Sequence, residues 1–327
     1  MADSRFVMNL KGISTAFIPR IFFQRKLPNI FKEILRYKDE ILEQICFRVN
    51  YYHQINQDFS EILLHSKDKE KLGQFPFKKT SKAFDAYKIT KYFNDDFLII
   101  KNYADISYKL NEPSICKDRL IGDENGIILK LDTHRHFIFL HDTQNFEDKK
   151  DLAVFRGASY QEHRKKFLQI YSGSKYCDFA HVMGNGGGKP EIKNFRKNFL
   201  SKKEQMRYKF IVSLEGNSFA SNLIWAMFSN SLVLAPKMRC ETWFMEGQLK
   251  PDEHFVLIDE QNLESKIEYY MTHLKEAQEL IDNAHSYIEQ FLDKRKEFHI
   301  GILVLAKYFY TSKQMDCPKE ILNLIKG

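Results

Sequence analysis

Residues 208–259, YKFIVSLEGNSFASNLIWAMFSNSLVLAPKMRCETWFMEGQLKPDEHFVLID, decide the fold. Phe210 to Leu214 is a short apolar run and reads as a buried strand. Glu215-Gly216-Asn217-Ser218 is turn chemistry, and Ala220 to Phe228 has helical spacing. Ser231 to Leu234 reads as a second strand. Strand, polar turn, helix and strand make one βαβ unit. Such a unit holds ligands outside the carboxyl end of its strand, where turn N–H groups and a helix start face an anion. The stretch therefore predicts an α/β protein with a phosphate-bearing ligand near residues 215 to 222.

Working outward, 327 residues at 43% hydrophobic content supply a sizeable core, and that length suits two domains. No apolar run reaches the ~18 residues of a membrane span. Met1-Ala2-Asp3-Ser4-Arg5 does not open a secretory signal, so a cytoplasmic location is expected. Five scattered cysteines (Cys46, Cys116, Cys177, Cys240 and Cys317) fit free thiols in a reducing compartment, and without a CxxC pair they do not form a zinc site. The net charge of +7 suits phosphorylated ligands, anionic membranes or nucleic acid. Short basic clusters such as Lys78-Lys79 and Lys202-Lys203, and the absence of a recognition motif, weigh against nucleic acid.

The N-terminal part reads as mostly helical, with Ile41 to Phe59 as one helix. Phe17 to Tyr37 interleaves apolar residues with Arg20, Arg25, Lys26, Lys32 and Arg36. This pattern fits peripheral contact with an anionic bilayer surface, or else a domain-edge element with its apolar side in the core. Pro19 and Pro28 interrupt any long helix there. Phe97 to Ile100, Phe137 to Leu140 and Leu152 to Phe155 read as strands, and Glu162 to Tyr171 as a helix. Glu264 to Leu292 and Ile300 to Tyr310 complete the helical pattern. The polar run Asp142 to Lys150 places a boundary. The expected layout is one domain over 1–150, a second over 151–290, and a helical segment, 291–327, packing back on the first.

The chain resembles glycosyltransferase family 90, which includes bacterial lipopolysaccharide proteins, protein O-glucosyltransferases and capsule-associated proteins. The resemblance rests on Tyr208-Lys209-Phe210, Gly216, Ser221-Asn222-Leu223, Trp225, Ser231-Leu232-Val233, Glu241-Thr242-Trp243-Phe244, and Gln248 to Pro251 followed by His254-Phe255. Val154-Phe155-Arg156-Gly157 with Arg164 adds the family's arginine–glycine segment. It implies a GT-B-like fold of two Rossmann-like domains facing a cleft, with 1–150 on the acceptor side and 151–290 binding the nucleotide sugar. It also implies an inverting, metal-independent transfer of a hexose from a UDP-sugar, without a cofactor. The bacterial members stand closest, and hence a lipopolysaccharide or lipooligosaccharide core acceptor at the cytoplasmic face of a bacterial inner membrane is expected. A protein or capsule acceptor, a nucleotide-binding chain without turnover, and a basic binding module are the alternatives.

Transfer to a hydroxyl needs a base, and a departing diphosphate needs its charge met. The resemblance assigns Asp105 as the base, with Asp95, Asp96, Glu112 and Asp123 competing and a turn aspartate as the plain alternative. Arg156, beside Gly157 at a strand end, and Arg164 are expected on the diphosphate. Gly216, Asn217, Ser218, Ser221 and Asn222 offer turn donors, although animal relatives carry an arginine where Asn222 aligns. Arg239 and Glu241 follow the second strand; Glu241 would accept from ribose hydroxyls or pair with Arg239. His134-Arg135-His136 alternates as in a strand and lacks a third ligand, so no metal is expected. Met183 to Pro190 is glycine-rich but has Pro190 where a Walker loop needs Ser or Thr, and reads as a loop beside the site. No G-x-S-x-G is present.

Overall fold

The computed structural model describes residues 18–74, 81–182 and 194–326. The glycine run 183–190, the Lys78-Lys79 cluster and Phe17 of the basic N-terminal segment lie outside them. The chain forms two compact units, one from 136–239 with 245–290, the other from 2–135, 240–244 and 291–327. The expected divisions at 150 and 290 thus meet a first break at 135, and five residues after Arg239 belong with the other unit. The last segment, from 291, is grouped with the first 135 residues.

The first unit is built on five parallel strands: β1 (Lys150–Gly157), β2 (Cys177–His181), β3 (Tyr208–Val212), β4 (Leu232–Ala235) and β5 (Val256–Leu257). Their order across the sheet is 2-1-3-4-5. Alternation sends Ala153 and Phe155, with Cys177, Phe179, Phe210 and Val212, to one face. Helix Glu162–Tyr171 covers that face with Phe167, Leu168 and Tyr171, and helix Leu263–Thr272 with Leu263, Ile267 and Tyr270. The expected long helix after 264 is two helices, Leu263–Thr272 and Leu274–Glu289. His273 breaks it, its ring stacked on Tyr269 at 3.8 Å and its Nδ1 against the Tyr269 carbonyl.

In the second unit, strands Leu98–Asn102, Ser114–Cys116 and Gly126–Ile128 run parallel, and Lys69–Lys71 adds an antiparallel edge. Asp118–Leu120 pairs antiparallel with Cys240–Thr242. Helix Lys294–Thr311 is buried on nearly all sides, as its continuous apolar run from Ile300 requires. It packs against helices Asp39–Tyr52, Ser81–Thr90 and Lys319–Lys326. The helix expected over 41–59 stops at Tyr52. Pro28 starts helix Leu27–Ile34 rather than interrupting one, because proline lacks only an N–H that the first turn leaves unpaired. Thr133–His136 is a helical turn, not a strand, and 137–140 form no strand; Phe139 instead meets Phe228 edge-on at 5.2 Å. Among the described residues no helix is long and apolar enough to cross a membrane.

Candidate active site

The order 2-1-3-4-5 fixes where a ligand belongs. Connections leave β1 and β3 in opposite directions across the sheet, opening a crevice outside their carboxyl ends. The chain there is Gly157-Ala158-Ser159 after β1 and Ser213-Leu214-Glu215-Gly216 after β3.

Arg164, on the helix after β1, joins these two loops. Nη1 donates to the Ala158 carbonyl at 2.7 Å, Nη2 to Leu214 at 2.6 Å and Nε to Glu215 at 2.8 Å. Desolvation lowers its pKa to about 10, opposed by the Glu215 charge, so it stays a cation at neutral pH. It forms no ion pair among the described residues. Three of the five guanidinium N–H groups are thereby spent on carbonyls. The side chain is only partly buried. A cation bonded to three carbonyls and set over the Phe155 ring, with no carboxylate bonded to it, has donors left with which to meet an anion.

Two glycines make room around that guanidinium. A Cβ on Gly216 would lie 3.4 Å from Nη2, and one on Gly157 would lie 3.5 Å from Nη1 and 2.8 Å from the Phe155 ring. His163 Nε2 meets the Glu215 carbonyl at 2.7 Å, and Gln161 Nε2 donates to Asn217 Oδ1 at 2.7 Å. Ser159 N–H donates to His181 Nδ1 at 3.0 Å, which fixes the loop after β1 and leaves the imidazole proton on Nε2. Burial, then the Arg196 charge, lowers the His181 pKa and favours that neutral ring. Composition gives no sign of these three bonds; only the meeting of β1, β2 and β3 creates them.

Arg239 follows β4. The Glu215 carboxylate accepts from its backbone N–H at 2.8 Å and from its Nε at 2.9 Å. The side chain is 61% exposed, and its Nη groups donate no hydrogen bond among the described residues. Lys237, also exposed, lies two residues before it. The Glu215 carboxylate thus aligns one arginine, and its carbonyl takes the Nε proton of the other.

Other expected site residues fall elsewhere. Arg156 is on the sheet face opposite Phe155, with its side chain 4% exposed. It donates to Asp178 Oδ1 and Oδ2 and to the Phe155, Asp178 and Asn198 carbonyls. All its donors are used, so it braces β1 against β2. The helix expected over 220–228 is a single turn, Leu223–Met227, without a side-chain cap. Asn222 Nδ2 instead donates to the Val212 carbonyl at 3.0 Å, and Ser213 Oγ donates to Asn222 Oδ1 at 3.0 Å. Asn222 therefore ties the turn to the end of β3. Ser218 is buried, whereas Asn217 and Ser221 are exposed.

Glu241 belongs to the second unit and is 1% exposed. Arg119 Nε donates to it at 2.7 Å, and the Tyr51 hydroxyl donates to its other oxygen. Its partner is thus Arg119 rather than Arg239. Trp243, two residues on, stacks on Tyr52 at 3.9 Å and donates to Glu297 at 2.6 Å. Glu241-Thr242-Trp243-Phe244 is a core anchor of that unit.

Asp105 follows the strand Leu98–Asn102, its side chain 48% exposed and 2.8 Å from Lys117 Nζ. Lys117 is buried and also meets Asp118 at 2.6 Å. Desolvation pushes the Asp105 pKa up, but Lys117, then Lys82 and Arg135, bring it below its ordinary value. Asp105 is therefore an accessible carboxylate that stays ionised. Of its competitors, Asp95 pairs with Arg20 and Asp96 with Lys71, both at 2.9 Å. Glu112 accepts from Ser66 at 3.0 Å, and buried Asp123 from the Leu110 N–H at 2.9 Å. Among the described residues no group of acidic, histidine or cysteine side chains is arranged to hold a metal ion.

An open parallel sheet in this order, with a cation clasped at its switch point, defines an α/β protein of the doubly wound class. The profile of glycosyl transferase family 90 matches residues 130–314. A curated relative, the O-glucosyltransferase LpsA of Dichelobacter nodosus, is 34% identical over 275 residues, 83% of this chain and 84% of that protein. The chain belongs to glycosyl transferase family 90 and is a glycosyltransferase. Two solved structures also align. The C-terminal domain of LpcC, a glycosyl transferase group 1 family protein from Francisella tularensis, is 12% identical over 47% of this chain and 95% of that one, with a TM-score of 0.35. TarM is 13% identical over 54% of this chain and 38% of that one, with a TM-score of 0.36. The fold assignment rests on the chain's own topology.

Proposed function

We propose that this glycosyltransferase moves a hexose from a UDP-sugar to a hydroxyl of a lipopolysaccharide or lipooligosaccharide core, with inversion at the anomeric carbon. The observation that carries the donor half is Arg164, a cation hydrogen-bonded to carbonyls of the loops after β1 and β3 and to no carboxylate among the described residues. A diphosphate there gains the remaining donors of Arg164, with Arg239 beside Glu215 as a second cation. These two arginines, rather than Arg156, take the leaving-group charge, and no metal ion is assigned a role. The acceptor assignment draws on the name of the relative from Dichelobacter nodosus.

The second unit supplies the base. The acceptor oxygen attacks the anomeric carbon, its proton passes to the Asp105 carboxylate, and the bond to the diphosphate breaks to release UDP. Ionised Asp105 is ready for that proton, and Lys117 holds it in place.

The test is thermal stabilisation by UDP, UDP-glucose, UDP-galactose and GDP, with a chelator present, in wild type, Arg164→Lys and Arg239→Ala. A rise with uridine ligands that shrinks in both variants is expected. Labelled sugar should then appear in the lipid fraction of an acceptor extract. No rise with any nucleotide sinks the donor assignment, label in protein or capsule sinks the acceptor assignment, and a rise only after a divalent cation is restored sinks the metal-free one.

A further inference from the structure

A short element of the second unit has its polarity reversed. Helical spacing puts Arg20, Phe23 and Gln24 on one side of the turn that contains Ile21–Gln24, and Ile18, Ile21, Phe22 and Arg25 on the other. The side facing the body is the polar one. Arg20 donates to the Leu72, Thr90 and Phe93 carbonyls at 2.6, 2.8 and 3.1 Å and pairs with Asp95 at 2.9 Å. Gln24 Nε2 donates to the Phe93 carbonyl at 3.0 Å and to Asp95 at 2.9 Å. Phe23 meets Tyr92 edge-on at 5.7 Å. Outside, Ile18, Ile21 and Phe22 are 44%, 48% and 56% exposed. A helix that only completes a core buries its apolar side and exposes its polar one. Here six polar contacts lock the reverse arrangement.

The rim of this apolar patch is positive. Arg25, Lys26 and Lys88 are exposed, and Lys91 lies over the Phe23 ring at 3.9 Å. Burial, then the charges of Lys26 and Lys88, lowers the Lys91 pKa to about 8, a sign that these cations crowd one another. The nearby carboxylates are already taken, Asp95 by Arg20 and Asp85 by Lys88 at 2.6 Å.

We propose that Ile18 to Lys26 docks the protein on an anionic lipid surface. Ile18, Ile21 and Phe22 enter the apolar boundary, and Arg25, Lys26 and Lys91 meet the headgroup phosphates. Three apolar side chains give reversible attachment, which leaves the enzyme free to move between acceptors. The inference stands apart from the assignment of donor and acceptor.

The experiment is sedimentation of the full chain with vesicles of phosphatidylcholine alone or mixed with phosphatidylglycerol. Binding to the anionic vesicles should exceed binding to the neutral ones by about tenfold or more and fall as salt is raised. The double variant Ile21→Ser, Phe22→Ser should lose about tenfold of that binding while keeping the UDP thermal shift of the wild type. A Phe22→Trp variant should show a blue-shifted emission with anionic vesicles only. No binding to either vesicle, equal binding to both, or unchanged binding by the double variant overturns the proposal.

Discussion

Arg156 on β1 and Asp178 on β2 hold each other through both carboxylate oxygens, each 2.9 Å from Nη2. Lys197 at 2.8 Å and the Tyr208 hydroxyl at 2.6 Å complete the carboxylate's shell. Burial alone would raise the Asp178 pKa, but these hydrogen bonds bring it to about 2. A depressed carboxylate stabilises the fold fully above its unfolded value near 3.9 and loses that contribution as pH falls through about 2. Arg156→Ala takes one of three side-chain partners from the partly buried Asp178, which keeps Lys197 and Tyr208, and should cost about 1–3 kcal/mol. It should also weaken the acid dependence of stability between about pH 4 and 2. Denaturant melts at several pH values check both. The folded fraction should keep its UDP thermal shift; loss of that shift would return Arg156 to the donor site.

If Asp105 is the base, Asp105→Asn removes the proton acceptor and leaves the residues of the first unit unchanged. The turnover rate should fall by about 100- to 10,000-fold with UDP affinity retained. Because Lys117, Lys82 and Arg135 hold Asp105 below its ordinary value, the wild-type rate should persist down to the ordinary carboxylate range and fall only beneath it. Lys82→Met removes one of these cations and should move the acid limb upward. A profile with Lys82→Met that matches wild type, or an active Asp105→Asn, would assign the base elsewhere.

Glu241 is an anchor in the core of the second unit, not an exposed acceptor. Glu241→Gln leaves the Arg119 cation, 0% exposed, without its carboxylate, and the expected cost is about 3–5 kcal/mol. UDP affinity of the folded protein should not change. Chemical melts and nucleotide titration separate these effects, and a large affinity loss with little change in stability would restore a ribose contact.

The α/β class was readable because parallel strands are buried on both faces and appear as short continuous apolar runs, as in Phe210 to Val212 and Leu232 to Leu234. Arg164 is marked only by the family resemblance, as the arginine that follows the arginine–glycine segment. Partners were not readable. Asp178 lies 22 residues beyond Arg156 on a neighbouring strand, and Arg119 lies 122 residues before Glu241. Nothing local marks either pair. The same limit hid the shortness of the helix after Asn222. A side chain that caps helices elsewhere was already committed to the Val212 carbonyl. The passage of 240–244 into the other unit was invisible too, since a three-residue strand such as Cys240–Thr242 is defined by its partner at Asp118–Leu120.

The two glycines beside Arg164 should respond differently to one added methyl group. At Gly157 the new Cβ would come within 2.8 Å of the Phe155 ring, which is 3% exposed and packed in the core. That ring has no free space to enter, so Gly157→Ala should destabilise the fold by about 1–3 kcal/mol. At Gly216 the nearest atom is Arg164 Nη2 at 3.4 Å, tight but movable, and the backbone is not left-handed. Gly216→Ala should therefore melt close to wild type while displacing the guanidinium by a few tenths of an ångström. If Arg164 completes its charge with the diphosphate, UDP binding should weaken by about tenfold, or about 1.4 kcal/mol. Nucleotide titration beside a thermal melt gives the answer. Unchanged affinity in Gly216→Ala would place the diphosphate away from the β1–β3 crevice.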